Sequence, residues 1–210
     1  MDLFEYTLFA FTSLFVIVDP IAIVPAFLAM TVRDTPQAQS RMAFIACTVA
    51  AGVLIVFALL GKWIFQFLGI TLAAFQIAGS ILLLRIALDM LYANRARDRE
   101  TDEEVSAGAE KDDIAITPLG IPMLAGPGAI STSLILLSQA KGTAQHIALF
   151  VCILAVTALA YVILRFAAKT ARWLSPLGLK LFTRIMGLLL LAVAVQFIIN
   201  GLVQTPFFAK

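Results

Sequence analysis

LFVIVDPIAIVP (residues 14–25) and TPLGIPMLAGPGAI (residues 117–130) decide how this chain is read. Each is an apolar run broken by proline, at Asp19–Pro20 in the first and at Gly126–Pro127–Gly128 in the second. Proline lacks the N–H that a helix needs, so carbonyls one turn earlier lose their donor. Pro20 and Pro127 stand 107 positions apart in a chain of 210 residues, so each half carries one break near its start. Interrupted apolar segments at corresponding places in two halves point to a midplane site in a secondary transporter.

Composition sets the class. Hydrophobic residues make up 61% of the chain and charged residues only 13%, far from the usual soluble balance. Met42–Gly61, Trp63–Leu84, Ile114–Ala140, Gly142–Leu164 and Ile185–Ala209 contain no Asp, Glu, Lys or Arg. Each is long enough for a hydrocarbon core that takes about 20 helical residues to cross. Leu3–Val32 is comparable but holds Glu5 and Asp19. Long continuous apolar runs, in place of short alternating strands, exclude a β-barrel. The prediction is an all-α polytopic membrane protein with six transmembrane helices, near 4–31, 42–61, 68–91, 116–139, 145–167 and 183–204. Asp2 and Glu5 stand where a signal peptide would be basic, so the first segment is expected to be retained.

Basic residues give an orientation. Arg33, Arg41, Arg95, Arg97, Arg99, Lys111, Arg165, Lys169, Arg172, Lys180 and Arg184 fall on one set of alternate connections. Lys62, Lys141 and Lys210 fall on the other. By the positive-inside rule the richer side is cytoplasmic, which puts both termini outside. Residues 92–113 hold eight of the thirteen acidic residues and read as a solvated cytoplasmic linker. It separates a first three-helix repeat, 1–91, from a second, 114–210, within a single membrane domain. Gly79 and Gly187, inside similar Ile-x-Gly-x-x-Leu-Leu runs, repeat at an offset of 108, close to that of the prolines. Three spans per half is an odd number, so the second half enters inverted. The fold expected is therefore two inverted three-helix repeats with broken first and fourth helices.

The breaks carry the chemistry. In hydrocarbon, free backbone groups are tolerated only against protein or a wet cavity, so Pro20, Pro25, Gly126, Pro127 and Gly128 should face the interior. A half-helix starting at Pro127 would offer N–H groups and a positive dipole end to a carboxylate. Asp19 lies near the bilayer centre, where a charge costs at least about 2.5 kcal/mol and is a functional hypothesis by default. Two roles compete for it, a proton or cation coupling site and a counter-ion to a substrate ammonium, and an N-cap for a helix begun by Pro20 is compatible with either. Thr12, Ser13, Ser131, Thr132 and Ser133 flank the breaks, and Gln76 and Gln196 sit on the third and sixth segments. Hydroxyls in membrane helices more often stitch helices together, but as a group around two breaks these residues suggest a site. Cys47 and Cys152 read as packing residues, and His146 has no clustered partners, so no metal is expected.

At these residues the chain resembles the MarC family of six-span membrane proteins, over essentially its whole length. The landmarks are Asp19–Pro20 with Pro25, the run Pro118–Ile130, and Arg184–Leu188 with Gln196. The family pattern has glycine and asparagine where this chain has Ala22 and Ile23, a difference that bears on substrate preference. The resemblance implies a carrier of the bacterial inner membrane, with some members moving glycine, alanine, serine or threonine. The expected function is alternating-access transport of small solutes, neutral amino acids first, coupled to H+ or Na+ and without other cofactors. Export of another small metabolite or a drug-like compound, and a channel-like pore, are the alternatives. An intramembrane aspartyl protease would need two deep facing acids, and only Asp19 is deep, so no enzyme is expected. The partners expected are the lipid bilayer and a small-molecule substrate, with no nucleic acid; homo-oligomerisation stays open.

Overall fold

A computed structural model describes residues 2–31, 34–92, 115–170 and 176–205. The expected linker at 92–113 lies outside these residues save for Tyr92, as do Met1, 32–33, 171–175 and 206–210. All regular structure among the described residues is helical. The elements are α1 (Leu3–Val18), α2 (Pro20–Met30), α3 (Pro36–Leu68), α4 (Leu72–Tyr92), α5 (Ala115–Leu124), α6 (Pro127–Gln139), α7 (Gly142–Thr170) and α8 (Pro176–Val203). Each of the six segments expected from hydropathy coincides with one helix, or with one broken pair.

Local chemistry sets the boundaries. The Asp2 carboxylate accepts from Glu5 N–H at 2.7 Å while Glu5 accepts from Asp2 N–H at 3.1 Å, a reciprocal cap that opens α1. Thr35 caps α3 with Pro36 at its first position. Gly69, at φ 64°, closes α3 in the left-handed conformation that glycine adopts without steric cost. In α5, Thr117 and Ile121 are extended because each precedes a proline, whose ring disfavours helical geometry one residue earlier. The rest of α5 makes wide turns, with Ala125 N–H reaching back five residues to Gly120 O at 2.9 Å.

Leu3–Met30 (28 residues), Pro36–Leu68 (33) and Gly142–Lys169 (28) are each long and apolar enough to cross a bilayer. The pair α5 and α6, bent by 55°, makes a fourth candidate span. Shorter apolar stretches lie at Ala73–Leu88 in α4 and Gly187–Val203 in α8. Large apolar side chains cover the outside, among them Phe4, Trp63, Phe67, Val151, Phe166 and Leu188, as lipid contact requires. The interior favours small residues. Ala10, Ala43, Ala46, Ala50 and Ala160 are wholly buried, which lets helix backbones approach closely where lipid supplies no hydrophobic drive.

Packing is paired across the two halves. α1 and α2 lie against α7, as α5 and α6 lie against α3; α3 packs on α7 and α4 on α8. α2 touches α8 as α6 touches α4. Two pairings depart from this pattern: α4 packs on α5 and α6 on α7, whereas the corresponding pairs, α8 with α1 and α2 with α3, make no comparable contact. The main core joins α1, α2, α3, α5, α6 and α7, and the α4–α8 pair stands against it from one side.

Candidate functional site

The first break is built by one residue in two roles. Asp19 adopts φ 42°, ψ 64°, a left-handed conformation that Asp tolerates better than most residues. Its N–H bonds Phe15 O at 3.0 Å and closes α1. Its side chain accepts from Ala22 N–H at 3.2 Å and opens α2. Pro20 follows at the first helical position, where a missing N–H costs nothing. Pro20 and Pro25 leave the carbonyls of Val16 and Ile21 without their ordinary donor four residues on.

The second break repeats the frame with different chemistry. At the offset of 107, Pro20, Ala22 and Ile23 match Pro127, Ala129 and Ile130, while Asp19 matches Gly126. Gly126 caps α6 with no side-chain hydrogen bond. A Cβ on Gly126 would stand 2.6 Å from Pro122 O, so only glycine fits there. Ile130 N–H bonds Gly126 O at 3.0 Å. The N–H groups of Gly128 and Ala129, earlier in the first turn, have no carbonyl of their own helix to bond.

Both breaks line one cavity of about 240 Å³, walled by Asp19, Ala22, Pro122, Gly126, Gly128 and Ala129 among others. Leu83 of α4 and Leu190, Val193 and Phe197 of α8 complete its apolar side. Asp19 is exposed on this wall, not enclosed. Ile17 and Phe197 flank Gly128, whose Cβ would meet them at 3.2 and 3.6 Å. The cavity wall thus includes a carboxylate, Asp19, and the first turn of a helix N-terminus, at Gly126, Gly128 and Ala129. That polarity suits a small ligand bearing both an ammonium and a carboxylate.

Asp19, Gly126 and Gly128 are thus brought together, and seven other candidates sit elsewhere. Pro20 and Pro127 are buried beneath the breaks, and Pro127 presses on α4, where a Cβ on Gly79 would lie 2.7 Å from its ring. Pro25 lines a neighbouring apolar cavity of about 440 Å³ with Ile21, Val24 and Leu189. Ser131 donates to Pro127 O at 2.6 Å, in its own helix. Thr132 lines a separate groove with Thr12 and Ser13. Gln76 is buried and accepts from Gln204 at 3.3 Å. Gln196 is exposed and donates to Asn200 at 2.8 Å.

Hydroxyls here mostly bond their own helices: Thr12 to Leu8 O at 2.8 Å, Ser80 to Gln76 O at 2.6 Å, Ser133 to Ile130 O at 2.8 Å. Among the hydroxyls that reach across helices, Tyr6 donates to Leu136 O at 2.8 Å and Ser40 and Tyr161 bond each other at 3.4 Å. The residues that sequence reasoning missed are the apolar wall, Ile17, Leu83, Val193 and Phe197. Apolar residues carry no sign of which side of a membrane helix faces a cavity. No cluster of metal-ligating side chains occurs among the described residues.

The profile of the MarC family of integral membrane proteins matches residues 4–205. A UPF0056 membrane protein of Methanocaldococcus jannaschii is 38% identical over 96% of this chain and 98% of its own. Another from Aquifex aeolicus is 36% identical over 92% and 90%, and the Escherichia coli protein YhcE is 34% identical over 91% and 89%. No solved structure matches. A match over residues 4–205, with relatives 34–38% identical over nine-tenths or more of the chain, makes this chain a member of the MarC family of multi-pass integral membrane proteins.

Proposed function

We propose that this protein is a secondary carrier of small solutes, neutral amino acids foremost, working by alternating access at the cavity between the two breaks. The observation that carries the proposal is that Asp19 and the start of α6 wall the same space. The substrate carboxylate would bond Gly128 and Ala129 N–H at the positive end of α6. Asp19 would hold the substrate ammonium or a coupling H+ or Na+. At about 240 Å³ the space is below the roughly 300–1,000 Å³ of drug-sized pockets, which favours small side chains.

The carrier would have six spans in two inverted three-helix repeats. The paired packing of α1–α4 with α5–α8 supports that reading. The excess of Lys and Arg on one set of connections supports both termini outside an inner membrane. The adjoining apolar cavity beside Pro25 favours a second reading, export of a bulkier apolar metabolite.

The test is counterflow of radiolabelled amino acids in proteoliposomes, with and without sodium and proton gradients. Saturable counterflow of glycine, alanine, serine or threonine is the expected result. Flux that never saturates would mean a pore, and no flux of any amino acid would overturn the proposal.

A further inference from the structure

A second cavity adjoins the first and shares Val16 and Ile17 with it. It holds about 490 Å³ and runs along the cleft between α1 and α6, lined by Phe9, Thr12, Ser13, Thr132, Ile135 and Gln139 among others. α1 enters this cleft from the chain's start and α6 leaves by it, with Tyr6 bonded to Leu136 at the far end. The cleft therefore leads from the Asp19–Gly128 level to the surface that bears the α6–α7 turn at Ala140–Lys141. Four polar side chains, Thr12, Ser13, Thr132 and Gln139, mark its length, and none of them is buried.

In the other half most of the described positions that correspond to this lining are buried. At the same offset of 107, Thr12, Ser13 and Ile17 correspond to Leu119, Gly120 and Leu124, and Thr132 and Ile135 to Pro25 and Leu28. Those five counterparts, on α5 and α2, are all buried. A Cβ on Gly120 would lie 3.1 Å from Ala115 O and 3.2 Å from Ala46 O, so the backbone there is already in close contact. Between helices, α4 packs on α5 with no comparable contact of α8 on α1, while α1 lies against α6 more extensively than α2 against α5. The two halves thus differ at these positions: one leaves four polar side chains unburied in a largely apolar groove, and the other buries most of their counterparts.

We propose that the α1–α6 groove is the aqueous access path to the cavity and that its counterpart between α2 and α5 is the closed path of the same carrier. Thr12, Ser13, Thr132 and Gln139 are the groups that a zwitterionic or otherwise polar solute meets on the way in. In the alternate state α5 would part from α2 and α4, and the α1–α6 groove would close. The proposal rests on the carrier reading for its purpose, but its geometry is testable without transport.

Cysteine labelling reads it directly, in the full chain with Cys47 and Cys152 replaced by alanine. Ser13→Cys and Thr132→Cys probe the groove from two helices; Leu28→Cys and Leu119→Cys probe the closed side. The probe is a membrane-impermeant cationic methanethiosulfonate added to either face of oriented vesicles, with size-exclusion profiles confirming that each variant is folded. The groove cysteines should react from the face bearing the α6–α7 turn at least tenfold faster than the other two. Equal rates at all four positions, or groove cysteines that react only with a lipid-soluble maleimide, would overturn the proposal. Absence of counterflow in the unsubstituted protein would sink the carrier reading while leaving the labelling pattern intact, so the two failures are told apart.

Discussion

Asp19 combines three demands that few side chains meet together: a left-handed backbone, an N-cap and an acid on the cavity wall. Asparagine satisfies the first two, since it also tolerates positive φ and its side-chain oxygen can still accept from Ala22 N–H. Asp19→Asn is therefore expected to keep its detergent melting temperature within about 2 °C while losing coupled uptake in proteoliposomes. Alanine satisfies neither structural demand. Asp19→Ala should cost about 1–2 kcal/mol more than Asp19→Asn, chiefly the lost cap, and thermal unfolding of the two variants side by side measures the difference. At the second break, Gly126→Ala places a methyl group 2.6 Å from Pro122 O, a backbone atom that has no rotamer to yield. A loss of about 1–3 kcal/mol is expected from such overpacking, with solute binding lost alongside it.

Among elements, α1 and α6 depend on one hydrogen bond at their outer ends. Ala140 N–H bonds Leu137 O at 3.2 Å, so Leu136 O lacks its usual partner four residues on and takes the Tyr6 hydroxyl instead. Tyr6 is almost wholly buried. Tyr6→Phe should cost about 1–2 kcal/mol, near the upper range for hydrogen bonds between membrane helices, readable as lower resistance to denaturing detergent. How legible these elements are in the sequence follows from what made them. Charge-free runs and proline breaks mark where helices lie, and each expected segment is a helix or a broken pair. Thr117 and Ile121 carry a readable signal too, because each stands before a proline. The wall formed by Ile17, Leu83, Val193 and Phe197 leaves no such trace, since lipid-facing and cavity-facing positions call for the same apolar residues. Ser131 and Ser133 are illegible for the opposite reason: a hydroxyl near a break can be satisfied by the helix that carries it.

At the scale of the molecule, the halves match in element order and in most helix pairings but differ in what their breaks offer. One brings its own carboxylate; the other presents N–H groups with no anion from the chain. A zwitterion bridging them would bind through both ends and would lose affinity when either is masked. Esterified amino acids, which keep the ammonium but not the carboxylate, should compete with labelled substrate at least tenfold more weakly than the free acids. Orientation is a second molecular property. If the proposed six-span topology holds, a fluorescent or alkaline phosphatase fusion after residue 205 should report a C-terminus on the non-cytoplasmic side, the side poorer in basic residues. The most direct measurement of the central claim, one solute cavity shared by both breaks, joins Ile17 to Gly128, whose Cβ would lie 3.2 Å from the Ile17 side chain. In an Ile17→Cys/Gly128→Cys variant a short bis-methanethiosulfonate should bridge the two cysteines within one chain and stop counterflow, and reduction should restore it. Efficient bridging with undiminished counterflow, or two reactive cysteines that never bridge, would contradict the account.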